Sequence, residues 1–521
     1  MGEKSGPFSV FYRLMLARST AATPWGIEAR PVQVEVDVHN GLPQVQIVGL
    51  ADVAVRESRE RVRAAIKNCG FDLAPKSVII NLAPADLRKE GNHLDLAIAA
   101  GLLAAHEQLP QEVLDGRLLC GELGLDGTIR SVRGGLAIAD LGHRLGVEEV
   151  LLPAANAGEA AALGTVRVIA VRSLAEAIQH LLGLEPLPAV EPLALSFDDS
   201  DHGPDLSEVR GQETAKRALE VAAAGGHNLL YIGPPGSGKT MLARRLPRLL
   251  PPLTLAESIE VTKIHSLVAE EPPAGLLHKR PFRSPHTGIS TAGLVGGGSA
   301  PRPGEASLAH NGVLFLDELP EFRRDTLEAL RQPIEEGTVS VVRVRAHLQF
   351  PARFALLAAM NPCPCGHLGD PRHECRCPPP LVERYRARVS GPLLDRIDLH
   401  VEVPAVSLRE LRGGPGEPTA VVAERVRSAR ALQRERFGPA APTPVNAAMG
   451  PEQLRHWCAV DPQGRTLLDT AFERLGLSAR ALDRILKVAR TIADLAGQDS
   501  IRACHLAEAI QYRSLDRRVT L

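Results

Sequence analysis

The chain has 521 residues, a formal net charge of -1, 44% hydrophobic and 23% charged residues, and 3% aromatics. That is the composition of a soluble globular protein of several domains, with no global positive field to draw it to nucleic acid, so any basic surface is local. The opening "MGEKSGPFSVFYRLMLARS" lacks an apolar core followed by a small-residue cleavage site, and no run of about eighteen apolar residues marks a membrane span. The expectation is a cytoplasmic protein with no membrane partner, whose thiols stay reduced.

The first block, residues 1–184, reads as a mixed α/β domain. "VQVEVDVHNGLPQVQIVGL" alternates apolar and polar residues, the period of half-buried sheet, with "HNG" as a turn signal. "VAVRESRERVRAAIKNCG" has helical periodicity and stops at Gly70. A strand "SVIINLAP", a helix "DLAIAAGLLAAH", a strand–turn unit "GRLLCGELGLDGTIR", a strand "GVEEVLLP" and a helix "SLAEAIQHLLG" follow. Arg56, Arg59, Arg61 and Arg63 on one helix are read as a solvated face paired with Glu57 and Glu60. Residues 185–205 are rich in proline and acids without a period, and read as a linker.

The second block, 206–405, carries the chemistry. "NLLYI" is an apolar strand, "GPPGSGKT" follows, and "MLARRLPRLL" is helical. Strand, glycine-rich loop and helix in this order form a phosphate-binding loop. Gly233, Pro234, Pro235, Gly236, Ser237, Gly238, Lys239 and Thr240 are the candidate nucleotide contacts. The glycines let backbone N–H groups converge on phosphate, Lys239 supplies a point charge, and Thr240 offers a hydroxyl to Mg2+. The interval up to Asp317 leaves room for an insert, "TGISTAGLVGGGSAPRPG", with a tip at Gly296–Gly298. "GVLFLDEL" is a buried strand ending in two carboxylates, Asp317 for Mg2+ and Glu318 for the attacking water. "GTVSVVRVRAHLQFPARF" reads as a β-hairpin, with Arg343, Arg345 and His347 near its tip. The strand "FALLAAMN" ends at Asn361, placed to sense the γ-phosphate.

Four of the eight cysteines come next, in "NPCPCGHLGDPRHECRC". Cys363, Cys365, Cys375 and Cys377 offer tetrahedral sulfur to a closed structural Zn2+ site, with His367 or His373 able to replace one of them. Free thiols and a redox role beside Arg372 and Arg376 are the alternatives. "SGPLLDRIDLHVEV" then places Arg396 on a short helix leading to a strand. The third block, 406–521, is mostly helical, and Arg480 stands at the start of one helix.

The order phosphate loop, "LFLDE", Asn361, "LLDRID" and a helical lid carrying Arg480 resembles the AAA+ ATPases, in the branch of the magnesium-chelatase ATPase subunit and the minichromosome-maintenance helicases. "RPFRSPHTGIS", "PRPGEASLAHNGVLFLDELPEF", "NPCPCG", "YRARVSGPLLDRIDLHVEVP" and "RILKVARTIADLAG" resemble the bacterial ComM family, also called YifB or Mg-chelatase-like, over nearly the whole chain. That resemblance implies a central AAA+ α/β/α domain with a C-terminal helical lid. It implies a ring, a hexamer, using ATP and Mg2+ to drive DNA branch migration in homologous recombination and natural transformation. Single-stranded and branched DNA are the implied partners. Lys239, Thr240, Asp317, Glu318, Asn361 and Arg480 would serve hydrolysis in their own subunit, and Arg396 in its neighbour. Hairpins at the two insert positions project into the ring pore of the related helicases, where Arg343, Arg345 and His347 would grip phosphates. The alternative for those residues is an edge hairpin with solvated charges.

"PADLRKEGNHLDLAIAAGLL" and "GELGLDGTIRSVRGGLAIADLGHRLGVEEVLLP" resemble the proteolytic domain of Lon, whose Ser–Lys dyad is missing: Asn92 or His93 stands at the serine's place and "AIAD" at the lysine's. A Lon-like platform without protease activity is therefore expected at the N-terminus. Two rival functions are a metal-chelatase-type motor acting with partner subunits and a nucleotide-gated scaffold for recombination proteins.

Overall fold

The computed structural model describes residues 16–89, 91–192, 203–298, 301–343, 346–370, 372–439, 441, 443–513 and 515. Contacts divide the chain into two compact units, residues 1–196 with 258–277, and 197–257 with 278–521.

The first unit is built on a seven-stranded mixed sheet in the order Gln44–Val48, Ser77–Ala83, Glu28–His39, Leu16–Trp25, Arg117–Leu119, Glu149–Pro153, Arg167–Val171. The alternating run explains itself: Val32, Val34, Val36 and Val38 are all buried, one face of one strand. The "HNG" bend does not close a hairpin. Ser77–Ala83 inserts between the two strands it joins, antiparallel to Glu28–His39 and parallel to Gln44–Val48. Helix Val53–Asn68 is capped by the Asp52 carboxylate and ends before Gly70, whose φ of +86° suits glycine. Its arginines divide: Arg59 pairs with Glu60 at 2.9 Å, whereas Arg61 reaches the buried Asp95 at 2.7 Å. Helix Asp95–Ala105 is buried on almost every side, as its uniformly apolar sequence requires.

Residues 258–277 lie within the sequence span read as ATPase core, yet they pack into this first unit. Lys263 Nζ meets Asp140 at 2.9 Å, and Ser266 Oγ accepts the Gly134 N–H at 3.1 Å. Thr262 Oγ1 donates to the Ser258 carbonyl and accepts from Leu277 N, closing the excursion on itself.

The second unit holds a five-stranded parallel sheet ordered Phe282–Arg283, Val313–Leu316, Ala355–Met360, Leu229–Ile232, Leu399–Glu402. Helices cover it, so the central strands are apolar at almost every position: "LLYI", "VLFL" and "ALLAAM". The strand leading to the phosphate loop lies beside the strand that ends before Asn361, which lies beside the strand that ends before Asp317. Three polar strand ends thus share one edge, where open α/β sheets bind ligands. The C-terminal part is helical: Thr419–Phe437, Pro451–Trp457, Pro462–Leu475, Ala479–Leu495 and Ala503–Gln511. It shares the core of the sheet domain, with Val426, Ile485 and Val488 in one cluster with Leu219 and Leu229. The bidentate pair of Arg436 with the buried Asp494, at 2.6 and 2.9 Å, ties its helices together. Strands Thr338–Arg343 and Ala346–Pro351 form an antiparallel hairpin, in which Val342 faces His347 and Arg343 faces Ala346. No helix among the described residues is long and apolar enough to cross a membrane.

Candidate nucleotide site

The phosphate loop begins where a side chain has no room. A Cβ on Gly233 would fall 2.1 Å from the Val403 carbonyl oxygen, so only glycine lets the loop leave its strand beside the neighbouring one. Gly236 and Gly238 have φ of +75° and +93°, a backbone that side chains disfavour. Lys239 is buried at 8% exposure, and its Nζ donates to the carbonyls of Gly233 at 2.7 Å and Pro234 at 2.9 Å. The same ammonium lies 3.3 Å from Asn361 Oδ1, 122 residues away in sequence. Burial lowers the Lys239 pKa from its ordinary value, and the carboxylates of Asp317 and Glu318 oppose that shift.

Thr240 Oγ1 donates to Asp317 Oδ2 at 2.7 Å, and the other Asp317 oxygen accepts the Glu318 N–H at 3.0 Å. Glu318 is exposed and takes a φ of +52°, a strained conformation that turns it away from the strand line. A hydroxyl and a carboxylate in contact, with a second carboxylate next in the chain, form a hard oxygen donor set that suits Mg2+. The fold brings Lys239, Thr240, Asp317 and Asn361 together, with Glu318 at the rim.

Three magnesium-chelatase models match the chain. "Subunit ChlI of Mg-chelatase" matches residues 34–156, "magnesium chelatase, subunit ChlI" 205–411, and "magnesium chelatase, subunit ChlI C-terminal" 416–513. The competence protein ComM of Haemophilus influenzae is 45% identical over 94% of this chain and 96% of its own length. The uncharacterized protein YifB of Salmonella typhimurium is also 45% identical, with the same coverage. The chain belongs to the ComM/YifB family of magnesium-chelatase-like AAA+ ATPases. An archaeal Lon protease of Methanothermobacter thermautotrophicus is 25% identical over 32% of this chain and 25% of its own length.

As a ComM/YifB-family protein the chain is an ATP-hydrolysing enzyme that uses ATP and Mg2+, a nucleotide-driven motor. Among the described residues, neither arginine singled out in the sequence forms an ion pair with the carboxylates at the phosphate loop. Arg396 lies in the turn after helix Gly391–Leu394, only 5% exposed, and forms an ion pair with Glu335. One of its η nitrogens donates to the Pro392 carbonyl at 2.6 Å, while its buried Nε has no partner among the described residues. Arg480, the second residue of helix Ala479–Leu495, is exposed and forms no ion pair among the described residues. Its charge nevertheless adds to that of Arg396 in holding the Glu335 carboxyl below its usual range. Glu335 was missed in sequence: it stands in "RQPIEEG", which has no motif, and its role follows only from its position before the hairpin.

Gln212 was missed as well. Its side-chain amide donates to Ser237 O at 3.2 Å and Pro404 O at 2.6 Å, bracing the phosphate loop from behind. Its φ of +60°, unusual for glutamine, is a local cost with no sequence signal beyond the preceding Gly211. Arg345 lies outside the described residues, as does the tip it shares with Val344; for Arg343 and His347 the backbone alone is described, on the two strands of the hairpin. In the glycine-rich insert, Gly297 and Arg302 exchange backbone hydrogen bonds at 3.1 and 3.2 Å and close its tip.

The four clustered cysteines converge. All are free thiols, and their sulfurs all lie within 4.8 Å of one another. His367 and His373 do not join them: they form a separate group with Asp370, 3.5 and 3.1 Å from its carboxylate.

Proposed function

We propose that this chain is the subunit of a ring-forming DNA motor that couples ATP hydrolysis to branch migration of recombination intermediates. The observation that carries the reading is the convergence of Lys239, Thr240, Asp317 and Asn361 at one sheet edge, with Glu318 free at the rim. The competence name of the Haemophilus relative supports a DNA substrate, and so does a basic hairpin rooted beside Glu335.

In this reading Lys239 exchanges its carbonyl partners for β- and γ-phosphate oxygens, whose negative charge offsets the burial that disfavours the ammonium. Thr240 and Asp317 would hold Mg2+, which neutralises charge on the transferred phosphoryl group. Glu318, outside the Lys239 pocket, orients and polarises the attacking water. Asn361 fixes that water and the γ-phosphate against Lys239. Arg480 reaches the nucleotide of its own subunit. Arg396 leaves Glu335 to serve the neighbouring subunit's nucleotide, so the site is complete only in an oligomer, a hexameric ring. The hairpin bearing Arg343, Arg345 and His347 lines the pore and holds DNA through phosphates. The N-terminal unit is a Lon-like platform without the Ser–Lys dyad, in keeping with the archaeal Lon match.

ATPase assays with single-stranded DNA, junction DNA and a porphyrin test this reading. Stimulation by DNA alone is expected. Stimulation by porphyrin and not by DNA would put a chelatase-type motor, the function printed for the matching family models, in its place.

A further inference from the structure

The cysteine cluster is not a free appendage of the ATPase: it is wedged against the phosphate loop. The closest sulfur pairs are Cys363–Cys365 at 3.4 Å, Cys363–Cys375 at 3.7 Å and Cys365–Cys375 at 3.7 Å. Four thiolates around a tetrahedral Zn2+, each about 2.3 Å from the ion, stand about 3.8 Å apart. Cys363, Cys365 and Cys375 therefore already approximate one face of that tetrahedron, with the Cys377 sulfur within 4.8 Å of each, and a sulfur-only tetrahedral donor set selects a soft ion of the zinc type. Between Met360 and Pro379 no helix or strand forms among the described residues, and residues 372–374 and 376 are exposed. Such a segment has little core to offset the entropy of ordering it, which a bound ion supplies.

The position of the cluster gives the ion a task. Gly366, at φ +83°, closes a turn through a hydrogen bond from its N–H to the Cys363 carbonyl at 3.0 Å. A Cβ there would lie 2.6 Å from Cδ and 2.9 Å from Cγ of Pro235, so the turn rests on the phosphate loop itself. Two residues before Cys363, Asn361 holds Lys239. At the far end Arg372 donates to the Val406 carbonyl at 2.8 Å, beyond the strand that flanks the loop on the other side.

We propose that Cys363, Cys365, Cys375 and Cys377 bind one Zn2+ as thiolates, and that this ion holds Gly366 against Pro235 and Asn361 on Lys239, so that nucleotide affinity depends on metal occupancy. The ion touches no reacting atom; it is a positioning device, and the four thiol protons pass to solvent when it binds. The proposal rests on the nucleotide-site reading and is independent of the DNA reading.

The test uses the full chain, purified without a metal-affinity tag. Metal content is measured by mass spectrometry, and nucleotide affinity by fluorescence of a labelled ATP analogue. About one zinc per chain is expected in the wild type. The double variant Cys375→Ser/Cys377→Ser should lose the zinc, and its Kd for nucleotide should rise roughly ten-fold or more, as displaced contacts at a reacting site do. Gly366→Ala keeps all four thiols, should keep the zinc, and should still weaken nucleotide binding through Pro235. If the double variant does not fold, wild type stripped of zinc by a chelator that is then removed decides the matter, its nucleotide Kd expected to rise as in the double variant. A wild type that takes up no zinc after incubation with zinc salt overturns the site. Zinc loss that leaves the nucleotide Kd unchanged overturns the coupling. A wild type that binds zinc and no nucleotide overturns the coupling together with the nucleotide-site reading, and the absent fluorescence signal identifies that case.

Discussion

Lys239 has three oxygen partners and no counter-ion in contact among the described residues, an arrangement that suits an ammonium waiting for phosphate. Lys239→Ala should cut ATP turnover by at least about 100-fold, the scale of losing a preorganised electrostatic contact, with the melting temperature nearly unchanged. Arg396 and Glu335 pose a different question, because a buried ion pair can be structural or catalytic. If Arg396 serves hydrolysis, Arg396→Ala lowers kcat by about 1,000-fold or more at saturating ATP. Glu335→Ala then leaves kcat near wild type while lowering the melting temperature about as much as Arg396→Ala does. Equal losses of turnover in both variants would make the pair structural. His93 is buried, and burial lowers its pKa from 6.5 to about 4, with Asp52 opposing. The unfolded chain therefore takes up a proton near pH 6.5 and the folded chain only near pH 4. In that window the unfolded state binds more protons, so stability present above pH 6.5 is lost as pH falls, on the order of 3 kcal/mol by pH 4. Melting curves of wild type and His93→Gln from pH 7.5 to 4.5 check this; equal slopes would remove His93 from the account.

At the scale of elements, what could be read from the sequence was what local chemistry writes. The loop Gly233–Thr240, the acid-ended strand Val313–Leu316 and the hairpin each announce themselves by glycine spacing or period. The helix stop at Gly70 is equally local. Pairings between distant segments are not written that way. Nothing in "HNG" says that Ser77–Ala83 will slip between the strands it joins, and nothing in "AESIEVTKIHS" says that Lys263 will find Asp140. Asn361 was found because a strand end is a local signal, whereas Glu335 and Gln212 act through partners 61 and 192 residues away or more locally silent carbonyls. The hairpin carries its own prediction. Arg343→Ala and Arg345→Ala should each weaken DNA binding uniformly across sequences and reduce the salt slope of the affinity by about 1. ATP turnover without DNA should be unchanged. An affinity that keeps its salt dependence in both variants would assign these arginines to a solvated edge.

For the whole molecule, the account joins a family-level ATPase to a DNA-level task. The nucleotide site supplies its own phosphate loop, acidic pair and asparagine, while the two arginines proposed to serve it are engaged otherwise, Arg396 paired with Glu335 and Arg480 exposed. A monomer built this way should hydrolyse ATP poorly, and activity should rise with protein concentration as rings form. The measurement that tests the central claim most directly is ATP-dependent migration of a synthetic four-way DNA junction by wild type and Lys239→Ala. The account predicts that wild type converts junctions to duplex arms with ATP and Mg2+, and that Lys239→Ala does not. Junctions that stay intact with wild type, together with an ATPase indifferent to DNA, would contradict it.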